Sequence, residues 1–239
     1  TPKTKAFIFS TPCNPSGSVY TKEELASLVE VFKKYPRIIV LSDEIYEFIQ
    51  YEQKHESMGQ FTELKDRLVI INGVAKGYAM TGWRIGYIAA PKAIVSACNK
   101  IQGQYTSGIC TIAQAASLEA VKMSPENSEE IQTMLKAFRN RRDMFFELLS
   151  EIPGLKLSKP AGAFYMFPEI KSYFGKTDGE TTINNSDDLC LYLLNKAHVA
   201  CVAGTAFGNG ECIRLSYATS EDKLCEAAAR IKEALSKLN

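Results

Sequence analysis

Three polar side chains of complementary chemistry follow three short apolar runs: Asn14 after Ala6–Ser10, Asp43 after Arg37–Leu41, and Lys76 after Val69–Asn72. If those runs are neighbouring strands, an amide, an acid and an amine meet in the crevice beyond their carboxyl ends, where open α/β sheets bind ligands. Such a set supplies an amine able to act as nucleophile or base, a carboxylate able to pair with a cation, and an amide able to orient a hydrogen-bonding group. Each residue also has an ordinary structural reading. Asn14 precedes Pro15 in a turn, Asp43 caps a helix, and Lys76 is a solvated loop charge. The weight lies in their joint position. The only histidines, His55 and His198, stand in unremarkable contexts, so Ser/His/Asp or Cys/His catalysis has little to draw on.

The surrounding pattern explains how three such residues could be brought together. Ala6–Ser10 reads as a buried strand closed by the turn-rich Thr11-Pro-Cys-Asn-Pro-Ser-Gly. Thr21-Lys-Glu-Glu is a capping box, and Leu25, Leu28, Val29 and Phe32 keep helical spacing until Pro36. With Arg37–Leu41 as the next strand, this is a βαβ unit with a right-handed crossover expected. Val69–Asn72 and Arg84–Ala90 read as two further strands. Their link is short and carries Gly73, Gly77 and Gly82, so an antiparallel pair is expected.

Helical spacing returns over Pro91–Ile101 and Thr111–Met123, and Ser124-Pro125-Glu126 reads as the cap of a long helix reaching about Ser150. Beyond Pro153-Gly154 come a strand around Phe164–Phe167, a polar loop from Lys171 to Asn185, a helix from Ser186 to Ala197, a strand Cys212–Tyr217 and a last helix from Ser220. A domain boundary is expected inside the long helix near Lys136–Arg142, dividing residues 1–138 from 139–239. The basic group Lys136, Arg139, Arg141 and Arg142 reads as a solvated helix face.

Composition narrows the function classes. With 28 Lys+Arg against 27 Asp+Glu and a net charge of +1, there is no surplus for holding nucleic acid or an anionic membrane surface. No apolar stretch approaches the roughly 20 residues of a membrane helix. Seven cysteines, odd in number and without a C-x-x-C pair, suggest a reduced, cytoplasmic compartment and no structural zinc or other metal site. The opening Thr1-Pro-Lys-Thr-Lys has no secretory pattern and no initiator Met, as expected of a piece of something longer.

Longer motifs add a family. Asn14-Pro-Ser-Gly17, Ser42-Asp-Glu-Ile-Tyr46 and Asn72-Gly-Val-Ala-Lys-Gly-Tyr-Ala-Met-Thr-Gly-Trp-Arg-Ile-Gly-Tyr87 closely resemble the pyridoxal-phosphate-dependent class I aminotransferases, the aspartate aminotransferase branch above all. Pro160-Ala-Gly-Ala-Phe-Tyr165, Gly204-Thr-Ala-Phe-Gly208 and Ile213-Arg-Leu-Ser-Tyr-Ala218 extend the resemblance over nearly the whole chain, in the family's order. It implies a fold-type-I architecture: part of a large-domain mixed α/β sheet, then a small α+β C-terminal domain.

The same resemblance implies that Lys76 binds the cofactor aldehyde through its ε-nitrogen and later serves as the base, and that Asp43 pairs with the protonated pyridine nitrogen. Tyr46 and Asn14 would hydrogen-bond the ring's phenolic oxygen, Arg84 would hold the phosphate, and Arg214, with Asn14, would bind the substrate α-carboxylate. The implied reaction exchanges an amino group between an amino acid, aspartate first, and a 2-oxo acid, in a homodimer. A β-lyase, a decarboxylase and a non-catalytic module on the same fold are the alternatives.

The chain also departs from the family. It resembles only the C-terminal portion, a little over half, so the glycine-rich phosphate loop, the ring-stacking aromatic and a partner-subunit tyrosine have no counterpart, and the fragment alone is expected to be inactive. Gly73 and Ala75 stand where many relatives place serines. The Ile101-Gln-Gly-Gln104 segment lacks the arginine by which one aspartate-specific subgroup reads the distal carboxylate.

Overall fold

A computed structural model describes all 239 residues. They form two compact units, one made of Thr1–Cys13 with Ser18–Thr133, the other of Asn14–Gly17 with Met134–Asn239.

The first unit is built on a four-stranded sheet in the order β1 (Ala6–Ser10), β2 (Ile39–Asp43), β3 (Leu68–Gly73), β4 (Gly86–Ala89). The first three strands are parallel, with Ala6 opposite Ile39 and Val40 opposite Leu68. The fourth runs antiparallel to β3, with Ile70 opposite Ala89 and Gly73 opposite Gly86. The expected antiparallel return is therefore present: residues 74–85 hold turns, among them the 3-10 turn Thr81–Trp83, and no helix that could carry a crossover.

Helix α1 (Lys22–Lys33) begins at the Thr21 capping box: the Thr21 hydroxyl accepts from the Glu24 amide, and the Glu24 carboxylate accepts from the Thr21 amide. Its Leu25, Val29 and Phe32 fall on one face and pack with Val40, Met58, Leu64 and Leu68 in the core beneath the sheet. Arg67 serves the far end of α1, donating to the carbonyls of Phe32, Tyr35 and Ile38 at 2.8, 3.0 and 2.9 Å. Strand β2 starts two residues later than its apolar run suggested and reaches Asp43, which is thus the strand's last residue. Helices α2 (Lys92–Tyr105) and α3 (Thr111–Lys122) follow.

The long helix α4 (Glu129–Ser150) starts later than the Ser124-Pro125 signal indicated. Pro125–Asn127 form a separate single 3-10 turn, and Ser128 takes over at the helix start, its hydroxyl accepting from the Ile131 amide at 3.4 Å. The basic stretch on α4 is also not a solvated face throughout. Arg142 is 2% exposed, donates to the Pro160 carbonyl at 3.1 Å and pairs with Asp143 at 2.7 Å.

The second unit holds a small antiparallel sheet in the order β5 (Tyr165–Met166), β7 (Ile213–Ser216), β6 (Val202–Ala203). Helix α5 (Ser186–Tyr192) is shorter than expected, because its continuation Leu193–Ala197 is a π-helical turn ended by His198 in the left-handed region. Helix α6 (Glu221–Ser236) buries Leu224, Ala228, Ile231, Ala234 and Leu235 at helical spacing. Two buried tyrosines tie the unit internally, Tyr192 to the Ala234 carbonyl at 3.0 Å and Tyr217 to the Ala163 carbonyl at 3.1 Å.

Candidate functional site

In the first unit, Asp43 ends β2 between β1 and β3, and backbone bonds past the strand ends hold it there: Thr11 N donates to the Asp43 carbonyl and Glu44 N to the Ile71 carbonyl. Asp43 Oδ1 accepts from the Ile45 amide at 3.1 Å, which fixes the carboxylate and leaves its second oxygen for a cationic partner. Tyr46 follows in a pair of tight turns rather than a helix, with Glu47 N bonded to Glu44 O and Ile49 N to Tyr46 O. Its ring is buried.

Lys76 lies in the turn after β3, half-buried, with its Nζ 5.7 Å from the centroid of the Tyr46 ring. Two glycines make that turn possible. A Cβ on Gly73 would stand 2.7 Å from the Ile85 carbonyl oxygen, and one on Gly77 would stand 2.4 Å from the Phe48 ring. The lysine turn therefore packs against β4's approach on one side and an aromatic ring on the other, closer than any larger residue permits.

Arg84 does not open β4 as its sequence position suggested. It follows the 3-10 turn Thr81–Trp83 at φ 57, ψ 45, a left-handed conformation that costs a non-glycine residue energy, and its Nη1 donates to the Thr81 carbonyl at 2.9 Å. The arginine is exposed and borders an open cavity of about 760 Å³ that Trp83, Gln102, Ile109 and Ile112 also line.

The other two expected site residues belong to the second unit. Asn14 and Arg214 are brought together, Arg214 Nη1 donating to Asn14 Oδ1 at 2.9 Å. The guanidinium lies over two rings, 4.6 Å from the Tyr165 centroid and 4.9 Å from that of Phe207. Stacked between aromatic faces and steered by an amide, the fork keeps one orientation, as bidentate recognition of a carboxylate requires.

One polar group beside the site escaped sequence reasoning. Glu44 is 1% exposed, yet Ser42 Oγ donates to it at 2.9 Å, the Met58 amide at 3.0 Å, and His55 Nε2 lies 2.8 Å away. Burial pushes this carboxyl up, but the hydrogen bonds from His55, Ser57 and Ser42 outweigh it and hold Glu44 below the usual carboxylate range. Burial pushes the neighbouring Glu47 up, against a hydrogen bond from Asn72. Ligand-type atoms of Glu44, Glu47 and His55 gather within 4.8 Å, but those of Glu44 are already engaged with Ser42, Met58 and His55. The available signal was strand alternation: Ser42 and Glu44 share one buried face, while Asp43 points the other way. His55, unremarkable in its sequence context, is thus paired with a buried carboxylate.

The donor set fits pyridoxal phosphate: an amine for the aldehyde, a carboxylate for the ring cation, a phenol near the amine, and a guanidinium for phosphate. Relatives point the same way. Residues 1–231 match the family Aminotransferase class I and II. The chain is 48% identical over 237 residues to a bifunctional aspartate aminotransferase and glutamate/aspartate-prephenate aminotransferase of Petunia hybrida, covering 98% of this chain and 50% of that enzyme. It is 45% identical to an aspartate aminotransferase of Pinus pinaster, covering 97% of this chain and 47% of that protein. The chain thus spans about half the length of these curated relatives. Among solved structures, an aspartate aminotransferase from Rhizobium meliloti superposes with a TM-score of 0.93 at 39% identity, over 100% of this chain and 60% of that one. That likeness shows the fold-type-I architecture, with its mixed sheet and small α+β part. No helix is long and apolar enough to cross a membrane. On these grounds the chain is a member of the class I and II aminotransferases.

Proposed function

We propose that the chain carries the lysine-bearing portion of a pyridoxal-phosphate-dependent aminotransferase, with residues 1–138 contributing to the cofactor-binding domain and 139–239 forming the small domain. The observation that carries this reading is the Lys76 amine, seated over the Tyr46 ring in a turn that only glycines at 73 and 77 permit, on the same sheet edge as Asp43.

When bound, the cofactor supplies an aldehyde that captures an amine and a ring that draws off the electrons left when a Cα proton departs. The chain's own residues do the rest. Asp43 holds the ring nitrogen in its protonated form, and Tyr46 and Asn14 donate to the ring oxygen. Arg84 offers its fork to the phosphate. Lys76 Nζ would anchor the cofactor and, as a free amine, would serve as the base that takes the proton from substrate Cα. Arg214, held by Asn14 and two aromatic faces, takes the substrate α-carboxylate.

The amino donor is aspartate, in keeping with the relatives' names, and those names add prephenate as a 2-oxo acid acceptor. We further place the active form in a cytoplasmic homodimer, with this chain inactive by itself. No observation favours the β-lyase or decarboxylase alternative over transamination. The test is covalent: the intact natural protein, given pyridoxal phosphate and then reduced with borohydride, should carry the pyridoxyl label on Lys76. Label spread over other lysines, or turnover surviving Lys76→Ala, would refute the reading.

A further inference from the structure

Away from these residues, one pair of side chains stands within reach of covalent chemistry. Cys190 on α5 and Cys201, just before β6, face each other with their sulfurs 3.4 Å apart, the Cys201 S–H donating to Cys190 Sγ. Both lie in the second unit, and neither is fully buried. A disulfide needs sulfurs at about 2.05 Å, so the pair must close by about 1.4 Å. The other five cysteines differ: Cys98, Cys110 and Cys225 are exposed, Cys13 is half-buried and Cys212 is buried. The sulfur facing Cys225 is the thioether of Met144 at 3.7 Å, which cannot form a disulfide.

The two sulfurs are also unlike one another. The hydrogen bond from Cys201 stabilises a thiolate on Cys190 and holds its pKa down, while the same bond and burial push Cys201 up. The pair therefore presents one attacking sulfur and one that follows.

We infer that Cys190 and Cys201 form an oxidisable dithiol site whose co-reactant is a low-molecular-weight disulfide of the oxidised-glutathione type. Cys190 thiolate attacks one sulfur of that disulfide; its S–S bond breaks, one glutathione leaves as thiolate, and a mixed disulfide remains on Cys190. Cys201 then gives its proton to water and attacks Cys190 Sγ, expelling the second glutathione. Two protein thiols are oxidised and one small disulfide is reduced to two thiols. The new bond ties α5 to the start of β6, whose Val202 is in register with Arg214 and whose following turn already bonds α5 through Thr205 Oγ1 to Asp187 at 2.9 Å. This inference stands independently of the aminotransferase reading.

The test equilibrates the 239-residue chain in reduced/oxidised glutathione mixtures, quenches with acid, alkylates, and maps peptides by mass. As oxidised glutathione rises, alkylatable thiols should fall from seven to five (7 − 2 = 5) with a linked Cys190–Cys201 peptide, before the other cysteines react. Cys201→Ser should accumulate glutathione on Cys190, whereas Cys190→Ser should leave Cys201 unmodified. The inference fails if Cys190 and Cys201 stay alkylatable while Cys98 and Cys110 are glutathionylated, or if the two serine variants are modified equally.

Discussion

Glu44 shows how a buried charge beside a reactive edge is kept. At 1% exposure it has lost water on every side, and Ser42, the Met58 amide and His55 replace that solvation. Because its folded pKa lies below the ordinary value, the ionised carboxylate contributes stability that is fully present above the ordinary carboxylate range and is lost as pH falls from there through the lowered folded value. Glu47, raised by burial, has the opposite sign: protonation favours its folded form, so stability falls as pH rises past its ordinary value. Glu44→Gln should therefore lower unfolding stability at pH 7 by about 1–3 kcal/mol and flatten the acid limb of a stability-against-pH curve measured by denaturant titration. An unchanged acid limb would mean that other carboxylates set it. Arg84 supports a second expectation. Glycine adopts φ 57 without the penalty an arginine bears, so Arg84→Gly should leave the denaturant midpoint unchanged or raise stability by up to about 1 kcal/mol, while retention of pyridoxal phosphate by the intact protein drops. A loss of both together would make Arg84 a structural residue.

At the scale of elements, local signals decide what sequence can reveal. The Thr21 capping box is written in four adjacent residues, and the helix starts where it says. Thr21→Ala should cost about 0.5–2 kcal/mol in chemical denaturation, with an effect near zero counting against the cap as a stabilising feature. Asp43 and Lys76 were legible as residues following apolar strands, and the parallel pairing carries β2 on to include Asp43 as its last residue. Other features depend on residues far apart in the chain. Strand β6 is two residues long and exists only because β7 pairs with it, so no alternation could announce it. The burial of Arg142 depends on the Pro160 carbonyl, and the orientation of Arg214 depends on Asn14, two hundred positions away. The π-helical turn after α5 had no marker in composition either. The lysine turn lies between these cases: its glycines were visible, but their reason is the tertiary approach of Phe48 and Ile85. Gly77→Ala should accordingly destabilise by about 1–3 kcal/mol through overpacking against Phe48, read as a lowered denaturant midpoint.

For the whole molecule, the decisive property is the apolar surface left open in the first unit. Strand β1 is a sheet edge, and its Ile8 is 69% exposed beside an exposed Phe7. Helix α3 presents Ile112 at 75% exposure together with Leu118 and Val121, and α2 presents Ile101 and Tyr105. An unpaired strand edge with apolar side chains is a template for another strand, and clustered exposed apolar side chains favour association. With a net charge of +1, electrostatic repulsion does little to keep copies apart. The 239-residue chain should therefore self-associate in a concentration-dependent way, seen as a rising weight-average mass in light scattering. Ile8→Lys places a charge on the open edge and Ile112→Glu places one on α3, each at an exposed position where the fold loses little, and the double variant should shift the chain toward monomer. A chain monomeric across the accessible concentration range, or a double variant that associates as strongly as the parent sequence, would show that these faces do not drive contact between copies.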